Sequence, residues 1–265
     1  MKHRAYFPAI LAVMALLLAC AWGSGLAQPV KHEHAVPEDR IPAAIREAVS
    51  SPARPASDRA LDAGRKPAQV MAFFGIRPGM RVADLSAVSG YTTELLSLIV
   101  GPHGKVYSQN QKLPARFAKA LQLWKSRLKA PNGSNIVEVT EPFDSPHLLP
   151  VAPGSLDAVI MNMNYHDLVW LGVHRDRMNR VIYRALKKGG VFGVIDNSAQ
   201  PGSGARDVRT LHRIDERFEV ADITKAGFRL AATSDILRNP KDDRTWPIFK
   251  HRGQQDRFVL KFVKP

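Results

Sequence analysis

The chain has 265 residues, 45% of them hydrophobic, enough for one large domain with a full core and too apolar for wholesale disorder. The formal net charge of +14 favours anionic partners. The basic residues are scattered, however, with no Lys/Arg block and no basic helix with interleaved aromatics. A solvated basic surface is therefore the simpler reading, and no nucleic-acid partner is expected.

Residues 1–27 read as an export signal. Lys2 and Arg4 make a short positive region, an apolar run follows from Ala5 to Trp22, and Gly25-Leu26-Ala27 fits a small-x-small cleavage site before Gln28. The expected location is outside the cytoplasm, in the periplasm. Leu17-Leu18-Ala19-Cys20 resembles a lipobox and leaves a second possibility, a lipoprotein anchored at Cys20. Contact with a membrane is expected only through the signal or that lipid. Cys20 is the single cysteine, so a chain cut after Ala27 has no disulfide and no thiol chemistry.

Residues 28–66 are rich in Pro, Ala, Arg, Asp and Ser. Short helical pieces, such as Ile41 to Val49, lie between proline breaks. The segment reads as an N-terminal arm that packs on the main domain. His32-x-His34 within it reads as solvated, with metal binding the lesser alternative.

From residue 67 the pattern is regular. "PAQVMAFFGIRPGM" predicts a helix ended by Pro78-Gly79, "RVADL" a strand, and "YTTELLSLIVG" a helix closed by Gly101. "GKVYSQN" is a second strand, "PARFAKALQLWKSRLKA" an amphipathic helix, and "NIVEVT" a third strand. "LDAVIMNMN" is a fourth strand, apolar enough to be central. "HRDRMNRVIYRALKKGG" predicts a helix stopped by Gly189-Gly190, "VFGVIDN" a fifth strand, and "IDERFEVADITKAG" a helix capped by Gly227. "FRLAATSDILR" and "DRFVLKFVK" are two last strands with no helix between them, which implies antiparallel pairing. Alternating strands and helices predict an α/β fold over residues 67–265: a Rossmann-like, seven-stranded, mostly parallel sheet with a C-terminal antiparallel hairpin and helices on both faces.

This succession resembles the class I S-adenosylmethionine (SAM)-dependent methyltransferases, and more narrowly a group of exported bacterial members. The markers are "VADLSAVSGYTTELL", "GKVYSQN", "NYHDLVW", "LKKGGVFGVIDNSA", "TLHRID", "AGFRL", "LRNPKDD" and "DRFVLKFVKP". The resemblance implies SAM as cofactor. It places Asp84 near the cofactor's ammonium group and Ser86, Val88 and Gly90 in the three glycine slots of the loop after the first strand. Val88 is β-branched and disfavours positive φ, so it is expected in an ordinary backbone basin, or else in a shifted loop.

Where the family carries an acid at the end of the second strand, this chain offers Gln109 and Asn110, amides able to pair with ribose hydroxyls. Glu141 or Asp144 would approach the adenine, a solvated loop being the alternative. At the fourth strand's end Asn162 adjoins the cofactor. His166 and Asp167 would take and orient an acceptor's proton, and Tyr165 would line the pocket; helix capping by Asp167 with a surface His166 is the plainer alternative. Asp196 ends the fifth strand, and His212 and Arg213 would cover the pocket from above, with Arg213 holding an anionic acceptor or a structural ion pair. No His/Asp spacing signals a metal, and none is expected.

Methyl transfer from SAM to a small-molecule acceptor is the leading expectation. The export signal pulls against it, because SAM is made in the cytoplasm. The alternative is an exported, non-catalytic ligand-binding protein on a methyltransferase fold. A nicotinamide oxidoreductase is disfavoured by the terminal hairpin and by the lack of Gly-x-Gly-x-x-Gly.

Overall fold

The computed structural model describes residues 29–265. The expected signal segment and Cys20 lie outside the described residues. Among the described residues no helix is long and apolar enough to cross a membrane.

The strands are β1 (Lys31–Glu33), β2 (Arg81–Leu85), β3 (Lys105–Gln109), β4 (Ile136–Val139), β5 (Leu156–Asn162), β6 (Leu186–Asn197), β7 (Arg229–Ser234) and β8 (Arg257–Val263). They form one sheet in the order β1-β7-β8-β6-β5-β2-β3-β4. Pairing is parallel except where β8 runs antiparallel to both β6 and β7. The chain moves outward from β2 to β3 and β4, then returns to β5 on the other side of β2. That reversal makes the C-terminal ends of β2 and β5 the topological switch point, where open α/β sheets bind ligands.

Seven strands follow the predicted order. The eighth, β1, comes from the arm and pairs parallel with β7. Lys31, His32 and Glu33 carry no strand signal of their own and gain strand geometry from β7. The helix predicted to run to Pro78-Gly79 stops earlier, at Phe74, where Gly75 caps it with φ 77°. The helix predicted to run to Gly189-Gly190 ends at Ala185, because Leu186 already pairs with Leu156 of β5.

Two apolar layers sandwich the sheet, and strand side chains alternate between them. On β5, Ala158 and Ile160 face one layer, Val159 and Met161 the other. The first layer is built by α1 (Ala43–Ser50), α4 (Pro67–Phe74) and α5 (Tyr91–Val100). The second is built by α7 (Tyr165–Trp170), α8 (Arg175–Ala185) and α9 (Glu216–Thr224). Ile45, Leu96 and Ile182 are almost wholly buried, each contributing about 1.5–3 kcal/mol. Gly193 on β6 has a packing reason: a Cβ there would lie 2.8 Å from the Phe74 ring, so α4 could not approach the sheet.

Candidate functional site

The loop between β2 and α5 has the backbone of a glycine loop without its glycines. Ser86 (φ 60°), Val88 (φ 50°) and Gly90 (φ 86°) all lie in the left-handed region. Val88 thus departs from the ordinary basin expected for it. Such a residue costs roughly 1–2 kcal/mol there, and two side chains from the end of β3 offset it. Gln109 Oε1 accepts from Ser86 N at 3.0 Å while its Nε2 donates to Glu141 O at 2.7 Å. Asn110 Oδ1 accepts from Val88 N at 2.8 Å, and Asn110 Nδ2 donates to Val88 O at 3.2 Å. The Asn110 amide thus acts as a strand peptide group, clamping Val88 on both sides. Both amides are buried.

Asp84 lies beneath this loop, 1% exposed. Its Oδ2 accepts from the Thr93 hydroxyl at 2.5 Å, Thr93 meets Ser108 at 2.7 Å, and Trp124 Nε1 donates to Ser108 at 2.8 Å. Trp124 comes from α6 (Ala118–Leu128). Burial raises the Asp84 pKa to about 7, against the opposing hydrogen bonds from Thr93. Gly90 is doubly constrained: besides its φ, a Cβ there would lie 3.0 Å from Arg127 Cδ and 3.2 Å from Trp124 Cδ1.

The arm covers the start of α5 with α2 (Ala56–Arg59) and α3 (Asp62–Arg65). Arg54 grips Asp62 bidentately at 2.6 and 2.7 Å, and the Tyr91 hydroxyl donates to Asp62 at 2.6 Å. The Arg65 guanidinium stacks 4.2 Å from the Tyr91 ring centre. Beside it, a pocket of about 480 Å³ opens between Leu61, Arg65, Met163, Phe249, Arg252 and Arg257. No carboxylate lines it. Arg257 is 6% exposed and donates to Gly64 O at 2.7 Å, and its Nε has no partner. Burial, and then the charge of Arg65, lowers its pKa to about 10. Among the described residues no carboxylate lies within ion-pair distance of Arg65 or Arg257. Neither arginine was singled out from the sequence. Arg65 sits in the composition-biased arm, and Arg257 follows Asp256 at the start of the last strand, where neither carries a site signal.

At the ends of β5 and β6 a second polar group forms. His166 is 1% exposed. Its Nδ1 meets Asp196 Oδ1 at 2.6 Å, and Asp196 Oδ2 accepts from His166 N at 2.8 Å. Its Nε2 faces Asp167 Oδ1 at 3.3 Å. Burial opposes the imidazolium, but the Asp196 charge and hydrogen bond, with the Asp167 charge, outweigh it and raise the His166 pKa. His212 Nδ1 reaches the same Asp167 oxygen at 3.0 Å, and Trp170 Nε1 donates to it at 2.9 Å. His212 stands at φ 53° and its ring packs 4.8 Å from Phe249 on the pocket wall. The structure thus brings His166, Asp167, His212 and Asp196 together. Asn162 lies between the two groups, 3.4 Å from the Thr92 hydroxyl.

Two residues stand elsewhere. Tyr165 is wholly buried in the second apolar layer, its hydroxyl 3.0 Å from Asp222 and 2.9 Å from Asn179. It turns away from the pocket because position 165 begins α7 on the inner face, whereas position 166 points back toward β6. Arg213 spends its guanidinium on Asp242, at 2.8 and 3.2 Å, and on the carbonyls of Ser198 and Trp246. Of the two roles open to it, the structural ion pair is the one observed.

SAM fits this edge in part. The left-handed loop leads into the start of α5 at the switch point, as a polar cofactor end requires, while the amides of Ser86, Ala87, Val88 and Gly90 are already bonded within the protein. At the ribose position, Gln109 and Asn110 are already bonded to the loop and offer no free carboxylate or amide.

No protein-family model matches the chain, and no curated protein matches it by sequence. Solved structures match its fold. A SAM-dependent methyltransferase from Aquifex aeolicus is 17% identical with a TM-score of 0.55, over 80% of this chain and 99% of that one. An arsenic(III) S-adenosylmethionine methyltransferase from Chlamydomonas reinhardtii is 19% identical with a TM-score of 0.54, over 84% and 73%. The [4+2]-cyclase SpnF is 17% identical with a TM-score of 0.54, over 79% and 82%. At these identities the likeness speaks for architecture. The chain has the Rossmann-like fold of the class I SAM-dependent methyltransferases.

Proposed function

We propose that the protein transfers a methyl group from SAM to a small-molecule acceptor. The observation that carries this reading is the β2–α5 loop. It keeps three left-handed residues at the switch point although two of them are Ser86 and Val88, for which that backbone is costly. SAM, when bound, supplies the electrophilic methyl. The chain supplies position: the start of α5 and Asn162 flank the cofactor, Asp84 supports the loop from below through Thr93, and the pocket beside Arg65 and Arg257 receives the acceptor. An acceptor with an anionic group suits that pocket, because its cationic side chains have no acidic partners there. In this reading His166 and Asp167, at the β5 end, are the groups that take up an acceptor's proton when no metal is bound.

Calorimetric titration with SAM, its demethylated product and NAD tests this. Binding of the first two without NAD supports it; a chain that binds neither sulfur ligand overturns it. A second reading, a ligand-binding protein without methyl transfer, is favoured by Gln109 and Asn110, whose amides are committed to the loop. That reading expects no SAM in the titration.

We further propose export, with the mature chain starting near Gln28. Cleavage after Ala27 would leave only residues 28–30 ahead of β1. A lipid on Cys20 would instead tether β1 through residues 21–30. Mass spectrometry of the native protein separates these, and a retained Met1 overturns both.

A further inference from the structure

We infer that His166, Asp167 and His212 form a binding site for one divalent transition-metal ion. The inference stands on their geometry alone and holds whether or not SAM is the cofactor. Nε2 of His166, Oδ1 of Asp167 and Nδ1 of His212 converge, with 3.3 Å and 3.0 Å separating the nitrogens from the oxygen and all three atoms within 4.8 Å of one another. An ion with bonds of about 2.0–2.2 Å to each donor requires donor spacings of this size. Two imidazoles and one carboxylate suit zinc, iron(II) or cobalt(II) and not the all-oxygen magnesium or calcium sites.

The surroundings point the same way. The carboxylate–imidazole pair of Asp196 and His166 is the outer support that metal-binding histidines generally have. His212 holds a left-handed backbone, φ 53°, to bring its ring to Asp167, and Trp170 and Phe249 pack edge-on against that ring. The site adjoins the pocket, since Phe249 touches His212 and lines the pocket wall. An ion there would serve as a Lewis acid toward an acceptor oxygen, lowering its pKa so that the proton passes to solvent, and would replace His166 and Asp167 as the proton acceptors.

A second His/Asp group, His32, His34 and Asp235, lies in the arm and on the strand end beside it. Its side chains are 41–86% exposed. It has no buried support, and serves as the internal control.

The test is zinc(II) titration by calorimetry of the full chain after chelator treatment, with cobalt(II) absorption as a second readout. One ion per chain is expected, with the affinity reduced at least tenfold in His212→Asn and in Asp167→Asn and unchanged in His34→Ala. Asn tolerates the left-handed backbone of position 212, and Asp167→Asn is isosteric, so each variant is checked for folding by circular dichroism and either suffices. No zinc bound by the unmodified chain overturns the inference. So does binding that is lost in His34→Ala and kept in His212→Asn.

Discussion

The two halves of the ligand edge spend their polar side chains differently. At the ends of β2 and β3, Asp84, Gln109 and Asn110 are all buried and all bonded to the loop or to the helix that follows it. Their polarity holds main chain in an unfavourable conformation. At the ends of β5 and β6, His166, Asp167, Asp196 and His212 bond chiefly to one another, and Asp167 and His212 remain partly open. The first half is a rigid platform; the second keeps donor atoms in hand. Polar density in a sequence does not separate these uses. What separates them is whether each side chain finds a main-chain partner.

The largest effect expected on the platform side is a pH dependence. Burial raises the folded-state pKa of Asp84 from 3.8 to about 7, so the folded chain binds this proton more tightly than the unfolded one. Stability from this group is intact below pH 4 and is lost as pH climbs through 7, by up to about 4 kcal/mol. Asp84→Asn removes the titration. Urea unfolding of both proteins at pH 4 and pH 8 is expected to show the variant gaining on the wild type as pH rises. Parallel curves would mean that Asp84 is solvated and the platform looser than described.

Next, Asn110→Ala removes both bonds that clamp Val88. A loss of about 1–2 kcal/mol is expected in urea unfolding, from two part-buried main-chain groups left without side-chain partners. A loss under about 0.5 kcal/mol would show that the left-handed loop holds itself. On the other half, Tyr165→Phe sharpens the contrast. Its hydroxyl bonds Asp222 and Asn179 in the core, so a stability loss of about 1–2 kcal/mol with unaltered SAM affinity is expected. A calorimetric affinity change in a fully folded variant would return Tyr165 to the pocket. The smallest effect is Val88→Gly, expected to leave ligand affinity unchanged and to stabilise by up to about 1 kcal/mol as φ 50° becomes easy, part of the gain being offset by chain entropy. Destabilisation by more than 1 kcal/mol would mean that the valine side chain packs in a way worth more than the strain.

Most of the architecture was legible because the hydrophobic periods and glycine stops are local signals. β5 declares itself as a continuous apolar strand, and α5 as a helix between Gly90 and Gly101. Strand β1 was not legible, since Lys31–Glu33 becomes a strand only by lying along β7. The loop conformation is not legible for a related reason: the preference of Val88 is overridden by Asn110, 22 residues away. Candidate site residues were found where chemistry and strand ends coincide, as with His166 and Asp196. Their grouping was hidden, because His212 meets Asp167 across 45 residues and at a backbone angle no propensity suggests. Tyr165 and His166 are adjacent in sequence yet bond different partners, Asp222 and Asn179 in one case and Asp196 in the other, which their polar character alone does not show.

The central claim is that the left-handed loop and the neighbouring β5 end receive SAM. Hydrogen exchange measured with and without SAM tests it most directly, because it reports where binding occurs. The account expects slowed exchange at the amides of residues 86–92 and 162–164, with the β1 edge unchanged. SAM binding that leaves both stretches unprotected would contradict it, as would protection confined to the opposite edge of the sheet near Lys187 and Lys188.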